Sequence, residues 1–154
     1  VIARSMLHLA KLPDQWELLK NGADLEIAVE EFIRYVTPIH NMCRVATEDY
    51  SLHGKEIRKG DQVVLMYSSA NRDSEKFDDP EIFDVTRNPN HHIAFGFGTH
   101  FCLGASLARL EIKLFYEQLI NRVESFALDG DPVEMPNAFV YGLASCPMKL
   151  TPRN

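Results

Sequence analysis

The stretch Phe95-Gly96-Phe97-Gly98-Thr99-His100-Phe101-Cys102-Leu103-Gly104 decides how this chain of 154 residues is interpreted. It places one cysteine between Gly98 and Gly104, directly before a helical pattern that runs from Ala105 to Arg122. N–H groups at the start of a helix carry partial positive charge, which stabilises a thiolate. The stretch therefore predicts that Cys102 is a reactive or metal-binding thiolate rather than an ordinary buried cysteine.

Composition and charge exclude several classes of protein. Hydrophobic side chains make up 45% of the chain, which is enough for one core, and the length predicts a single domain over residues 1–154. The formal net charge is −6 without a long lysine or arginine run, so we expect no nucleic-acid partner. No apolar run is long enough to span a membrane, which predicts a cytoplasmic protein without a membrane contact. Three widely spaced cysteines favour reduced thiols over a disulfide framework.

The spacing of apolar residues predicts more helix than strand. Helices are expected at residues 1–11, 14–20, 24–36 and 105–122, and the third of these ends at Thr37-Pro38. Short antiparallel strands are expected at residues 50–52, 56–57 and 62–67, around a turn at His53-Gly54. Residues 68–93 read as a long irregular stretch, and residues 123–154 as one small strand pair. The fold class is therefore α+β, mainly α.

Several of these segments resemble the cytochrome P450 monooxygenases. Residues 95–104 match the family's haem-binding loop, Phe-x-x-Gly-x-His/Arg-x-Cys-x-Gly, at every defining position. Glu31-Phe32-Ile33-Arg34 resembles the family's Glu-x-x-Arg motif, and residues 70–73, 90–96 and 103–111 are also similar to a soluble bacterial member. The resemblance implies the C-terminal part of the P450 fold. That part contains the helices after the oxygen-binding helix, small β hairpins, an irregular meander, the haem loop and a long helix.

The resemblance implies haem b as cofactor, with Cys102 as the thiolate ligand of the iron. Gly98 would supply a turn conformation, and Gly104 would let the helix backbone approach the porphyrin closely. Phe95 would shield the sulfur from water, although ordinary core packing explains a phenylalanine there equally well.

Two further positions match residues that bind the haem propionates in the family. They are Arg44 and His100, whose side chains donate hydrogen bonds to carboxylates. The alternatives are a surface arginine at the start of a strand and a solvated loop histidine.

The Glu-x-x-Arg resemblance implies a buried structural network of Glu31, Arg34 and a second arginine. Arg87 is the candidate for that second arginine, because Ile82 stands where many relatives carry it. Without the resemblance, Glu31 and Arg34 would be a surface pair one helical turn apart. Candidates for the substrate pocket are Ile39, Met42, Phe139 and Val140, which as apolar residues could equally belong to the core.

Two other motifs partly match this region of the sequence. Gly96-Phe97-Gly98 begins like a dinucleotide-binding Gly-x-Gly-x-x-Gly motif, but Phe101 stands where the third glycine is required. A zinc site would use His91 or His92 together with His100 and Cys102, but only one sulfur is available there.

The resemblance implies a monooxygenase that inserts one atom of O2 into a hydrophobic small molecule, with a terpene or a sterol side chain favoured. A ferredoxin or a flavoprotein reductase would donate electrons, and Arg109, Lys113 and Arg122 would meet it unless they are merely solvated helix charges. We expect the N-terminal part of the family fold to be absent, and this chain alone to be inactive. The alternatives are a non-catalytic haem-binding module, an oligomer formed through the surface that the missing region would cover, or a structural domain without a cofactor.

Overall fold

The computed structural model describes residues 1–153 and shows an α+β fold in which helices outweigh strands. The helices within this range are Ile2–Lys11 (α1), Pro13–Lys20 (α2), Leu25–Val36 (α3), Tyr67–Ala70 (α4) and Ala105–Arg122 (α5). The strands are Asn41–Val45 (β1), Tyr50–Leu52 (β2), Lys55–Ile57 (β3), Gln62–Met66 (β4), Val123–Leu128 (β5), Val133–Glu134 (β6), Leu143–Ser145 (β7) and Met148–Pro152 (β8). None of the helices in residues 1–153 combines the length and the apolar character that crossing a membrane requires.

Helix α3 has clear start and stop signals in the sequence. The Asp24 carboxylate accepts a hydrogen bond from the Glu26 backbone N–H at 2.8 Å, which caps the first turn. At the other end Thr37 adopts a left-handed conformation with a φ of 41°, and Pro38 cannot continue the helix. The predicted bounds of α3 therefore agree with the structure to within one residue.

The strands form four separate antiparallel pairs: β1 with β4, β2 with β3, β5 with β8, and β6 with β7. The prediction of a single strand pair after residue 123 was wrong. The chain instead inserts β6 and β7 between the two strands of the outer pair. Residue pairing across such a gap is long-range, and the short apolar runs do not encode it locally.

Two boundaries near the first strand pair also differ from the sequence prediction. Tyr67 begins α4 rather than ending the strand, and its side chain is buried. Arg44 lies inside β1, opposite Val63 of β4, instead of at the start of a strand. Polar residues within β1 break the apolar pattern, so its pairing with β4 defines the strand.

The hydrophobic core lies where α1, α2 and α3 meet one face of α5. The Phe32 ring packs against Tyr116 with 4.5 Å between ring centroids, and the Tyr116 hydroxyl hydrogen-bonds with Ser5 Oγ at 2.7 Å. Exposed leucines at helical spacing lie on the opposite side of α5 and two residues before its start, namely Leu103, Leu107, Leu110 and Leu114. Helix α5 is therefore apolar on a second side that the described residues leave uncovered.

Glu31 and Arg34 form a fully buried ion pair within α3. Arg34 Nε donates to Glu31 Oε2 at 2.7 Å, and Arg34 Nη2 donates to Glu31 Oε1 at 2.8 Å. The remaining guanidinium N–H groups donate to the carbonyl oxygens of Asn71 at 2.8 Å, Pro80 at 2.9 Å and Ile82 at 3.2 Å. Both charges are thus hydrogen-bonded on all sides, which a buried ion pair needs to offset its desolvation cost.

Arg87 approaches this pair from the irregular segment. Its Nε lies 3.3 Å from Glu31 Oε2, an ion pair without hydrogen-bond alignment, and its Nη atoms donate to the Asp78 and Asp79 carbonyl oxygens. Glu31 also accepts hydrogen bonds from the Asp84 backbone N–H at 3.0 Å and from Asn90 Nδ2 at 3.1 Å. Besides Arg34 of its own helix, the Glu31 carboxylate therefore binds three positions of the predicted irregular stretch, which gives that stretch a defined path.

Replacing Arg34 with methionine is expected to reduce the free energy of unfolding by about 3–5 kcal/mol, because the Glu31 carboxylate would stay buried without its main partner. Urea denaturation followed by far-UV circular dichroism measures this change. The control is Glu81→Gln, which breaks an exposed pair with Arg72 and should cost about 0–1 kcal/mol. Equal, small losses for both variants would contradict the structural importance of the buried pair.

Candidate functional site

A cavity of about 490 Å³ opens beside Cys102, between the start of α5, the loop before it and β1. Its polar groups include the Cys102 sulfur and the side chains of Arg44 and His100. The rest of the wall is mainly apolar and includes Ile33, Ile39, Met42, Ala94, Phe95 and Ile112. A cavity with this lining suits a large apolar ligand that carries a few anionic groups and a centre that binds sulfur.

The loop that carries Cys102 is shaped by glycines and backbone hydrogen bonds. Gly96 and Gly98 have φ angles of 74° and 71°, which side chains with a Cβ atom rarely adopt. The Cys102 N–H donates to the Phe95 carbonyl at 2.9 Å, and the Cys102 carbonyl accepts from the Ala105 N–H at 3.2 Å. These contacts hold an exposed, free thiol three residues before α5.

No side chain caps the start of α5. Gly104 occupies the N-cap position, and a Cβ atom added there would lie 4.0 Å from the Cys102 sulfur. The Ala105 N–H already donates to the Cys102 carbonyl, which leaves the N–H groups of Ser106 and Leu107 in the first turn available to an anion or thiolate near Cys102.

The structure brings four of the six predicted cofactor-binding residues to the cavity wall: Arg44, Phe95, His100 and Cys102. Arg44 is half-buried and makes no ion pair within residues 1–153, and its Nη1 donates only to the neighbouring Cys43 carbonyl at 2.9 Å. His100 is exposed at the end of a short 3₁₀ turn, Gly98–His100. Gly98 lies on an adjoining depression of about 660 Å³ that shares Arg44 and His100 with the cavity.

The four candidates for the substrate pocket divide into two pairs. Ile39 and Met42 line the cavity. Phe139 and Val140 are absent from its wall, but Val140 forms an antiparallel bridge with Ile39, and the Phe139 carbonyl accepts from the His40 N–H at 3.0 Å. The segment that contains Phe139 therefore supports the cavity wall from behind.

A second charged cluster, which the sequence interpretation missed, lies behind the loop. Arg109 of α5 donates to both oxygens of Glu30 in α3, from Nε at 2.6 Å and from Nη2 at 2.8 Å. His92 Nε2 lies 3.0 Å from Glu30 Oε2, and its ring is almost fully buried. Partial burial of Glu30 acts to raise its pKa, but the hydrogen bonds from Arg109 and His92 outweigh it and lower the pKa to about 2.

The only sign of this cluster in the local sequence is Glu30 itself, a second carboxylate directly before Glu31. Its partners lie 62 and 79 residues away along the chain, so spacing could not identify them. The cluster also changes the interpretation of the cations of α5. Arg109 is bound to Glu30, and Lys113 Nζ lies 2.6 Å from a Glu26 carboxylate oxygen, so neither is simply solvated.

The zinc alternative finds no support in the described part of the chain. No group of three or more histidine, cysteine, aspartate or glutamate side chains is arranged there to bind a metal ion. His92, one of its proposed ligands, is hydrogen-bonded to Glu30.

A glycine-shaped loop that presents one cysteine at the start of a long helix, facing an apolar cavity, is typical of haem-thiolate proteins. The cytochrome P450 family model matches residues 7–151, and the chain belongs to this family. The family implies a haem cofactor.

Similar proteins agree with this assignment. The chain is 48% identical over 142 residues to a steroid C26-monooxygenase of Mycolicibacterium smegmatis, covering 90% of the chain and 35% of that protein. It is 37% identical to linalool 8-monooxygenase of Pseudomonas putida, covering 99% of the chain and 38% of that protein. The chain thus spans about a third of the length of these curated relatives.

Solved structures show the same fold. The structure of CYP109E1 from Bacillus megaterium in complex with testosterone superposes with a TM-score of 0.90 at 38% identity, covering 96% of this chain and 41% of that one. CYP108D1 from Novosphingobium aromaticivorans gives a TM-score of 0.90 at 41% identity, covering 98% of this chain and 37% of that one.

The pKa of Glu30 predicts a specific loss of stability in acid. Because its pKa falls from 4.5 to about 2 on folding, the unfolded chain binds more protons between these values, and the stability from this group disappears as pH falls through that window. Urea denaturation of wild type and Glu30→Gln at a series of pH values measures it. We expect the stability difference between them to be full above about pH 4.5 and to shrink towards pH 2. A difference that stays constant over this range would contradict the prediction.

Proposed function

We propose that this chain forms the haem-binding part of a cytochrome P450 monooxygenase, with Cys102 as the thiolate ligand of the iron. The main support is that Cys102 and His100, from the loop before α5, share one cavity wall with Arg44, which comes from β1. The residues fit the group chemically. Cys102 would hold the iron through its sulfur, Arg44 and His100 would donate hydrogen bonds to the propionates, and the apolar side chains of the wall would contact the macrocycle.

Each residue has a distinct proposed role at the site. Arg44 carries a permanent positive charge, so it binds a propionate as an ion pair, whereas His100 donates a hydrogen bond from its ring. Phe95 limits the access of water to the Cys102 sulfur, because its ring is half-buried beside the loop. The uncapped N–H groups of α5 stabilise the thiolate charge. The haem, for which we propose haem b, supplies activation of O2 when it is bound.

The proposed reaction of the whole protein is insertion of one atom of O2 into a hydrophobic small molecule. Ile39 and Met42 offer apolar contact on the cavity wall and no charge that would bind a polar substrate. The names of the relatives, which include a steroid C26-monooxygenase and linalool 8-monooxygenase, support a sterol side chain or a terpene as substrate.

We propose that the whole protein, rather than this chain alone, catalyses the reaction. The cavity wall formed by residues 1–153 contains no aspartate or glutamate, and its hydroxyl-bearing residue is Tyr67. Proton delivery during O2 activation requires an acid or a hydroxyl relay, and we propose that another part of the protein supplies the acid.

A ferredoxin or a flavoprotein reductase is the proposed electron donor, and it would dock near Cys102. Arg109 and Lys113 are held in ion pairs with Glu30 and Glu26, so their attraction for an acidic partner is reduced. Arg122 forms no ion pair within residues 1–153 and keeps its full charge for such a contact.

Replacing Cys102 with serine tests the ligand directly. The purified chain is mixed with haem, reduced and exposed to carbon monoxide, and the Soret band is recorded. We expect a strongly red-shifted band for wild type and its loss in Cys102→Ser, because a neutral hydroxyl donates far less electron density to iron than a thiolate. Cys43→Ser is the control, since Cys43 is exposed and lies off the cavity, and it should retain the wild-type band. The same red-shifted band in Cys102→Ser would refute the assignment.

Replacing Arg44 with glutamine tests the propionate contact. Loss of one charge-assisted hydrogen bond should weaken haem binding about ten- to a hundredfold, because such bonds contribute about 1.5–3 kcal/mol. Absorbance titration of the apoprotein with haem measures the dissociation constant. Arg58→Gln removes the same charge from an exposed turn outside the cavity and should leave the constant unchanged. Equal effects of both substitutions would indicate only a general charge effect.

A further inference from the structure

We propose that Glu30, His92 and Arg109 form a clamp that positions the haem-ligating loop by holding Phe95, whose carbonyl in turn holds the Cys102 backbone. These three are positioning residues, since none of them lines the cavity. The inference rests on the proposed haem site and adds a second support for it, separate from the Glu-x-x-Arg network.

Helix α3 presents two consecutive carboxylates to two different parts of the chain. Glu31 binds the irregular segment through Arg87, the Asp84 N–H and Asn90. Glu30 instead faces the residues just before the loop and the second turn of α5. The loop that ends at Cys102 therefore lies between His92 and Arg109 in the chain, and both of these residues bind Glu30.

His92 fixes the first side of the clamp. Its Nδ1 accepts a hydrogen bond from the Ala94 N–H at 3.3 Å, so its Nε2 carries the proton and donates to Glu30 at 3.0 Å. The ring is almost fully buried, which leaves it little freedom to turn. His92 thereby ties the backbone next to Phe95 to helix α3.

Arg109 fixes the second side. Its Nε and Nη2 donate to the two Glu30 carboxylate oxygens, and its guanidinium carbon lies 4.6 Å from the centroid of the Phe95 ring. A cation at this distance over an aromatic face is attractive, and a planar guanidinium can also stack. The Phe95 carbonyl then accepts the Cys102 N–H at 2.9 Å. An unbroken series of contacts therefore joins Glu30 to the backbone of Cys102.

A simpler role would be to hold α3 against α5, and the chain contains a matched control for that role. Glu26 and Lys113 lie one helical turn away on the same two helices and pair at 2.6 Å, but they do not contact Phe95. A variant of this neighbouring pair changes the helix contact without changing the clamp.

Hydrogen exchange of the Cys102 amide, measured by NMR on the chain without haem, reports directly on its bond to Phe95. We expect Glu30→Gln to accelerate this exchange on the order of tenfold, because a neutral amide cannot bind the guanidinium in two charged hydrogen bonds. Exchange of the Leu9 amide in α1 should stay at the wild-type rate. Glu26→Gln should leave both rates unchanged. Uniform acceleration at both amides in Glu30→Gln, or wild-type exchange at Cys102, would overturn the clamp.

Arg109→Lys provides a second variant that keeps the charge. Its ammonium group lacks the planar fork, so we expect faster exchange at Cys102 here as well. With haem and carbon monoxide, both clamp variants should show a smaller share of the red-shifted Soret band than Glu26→Gln. Wild-type band shares in both would also contradict the clamp. Absence of that band in wild type would instead refute the proposed haem ligation, while the exchange rates would still test the positioning of the loop.

Discussion

The buried pair of Glu31 and Arg34 is the interaction on which the rest of this structure depends. Two charges without solvent contact are tolerable only when every donor and acceptor has a partner. Arg34 finds these partners in the backbone carbonyls of Asn71 and Pro80, and Glu31 finds them in Asp84 and Asn90. A segment with almost no regular secondary structure thus acquires one conformation, because departing from it would leave a buried charge without hydrogen bonds.

The same buried network also limits the conformation of the proposed haem-binding loop. The loop follows the irregular segment directly, and the buried Asn71 side chain accepts the Ile93 N–H at 2.8 Å near the start of the loop. Gly96 and Gly98, which have positive φ angles, then turn the backbone, and α5 begins at Ala105. Helix α5 is itself anchored in the core through Ile112 and Tyr116. Cys102 is therefore exposed, yet both flanking segments are attached to the best-packed part of the molecule.

Residues 1–153 form the proposed haem-binding cavity, and they also leave a second apolar surface exposed on α5. One side of α5 packs into the core, and the other carries the exposed leucines at positions 103, 107, 110 and 114. The chain spans about a third of its curated relatives. Residues 1–153 show the fold and the family, whereas the substrate, the electron donor and turnover are proposals about the whole protein.

The sequence is sufficient to predict contacts between residues that are close together in the chain. The glycines around Cys102, the Glu-x-x-Arg pair one turn apart and the capped start of α3 are all local, since the atoms that interact belong to the same turn or loop. Tertiary structure alone decided the rest. Arg44 lines the same cavity as His100 and Cys102 only because β1 pairs with β4 beside the loop. Glu30 meets Arg109 only because α3 packs on α5, and β8 reaches β5 across an inserted strand pair. Such contacts join residues far apart in the chain, and their partners are selected by packing and charge in three dimensions, which no sequence spacing records.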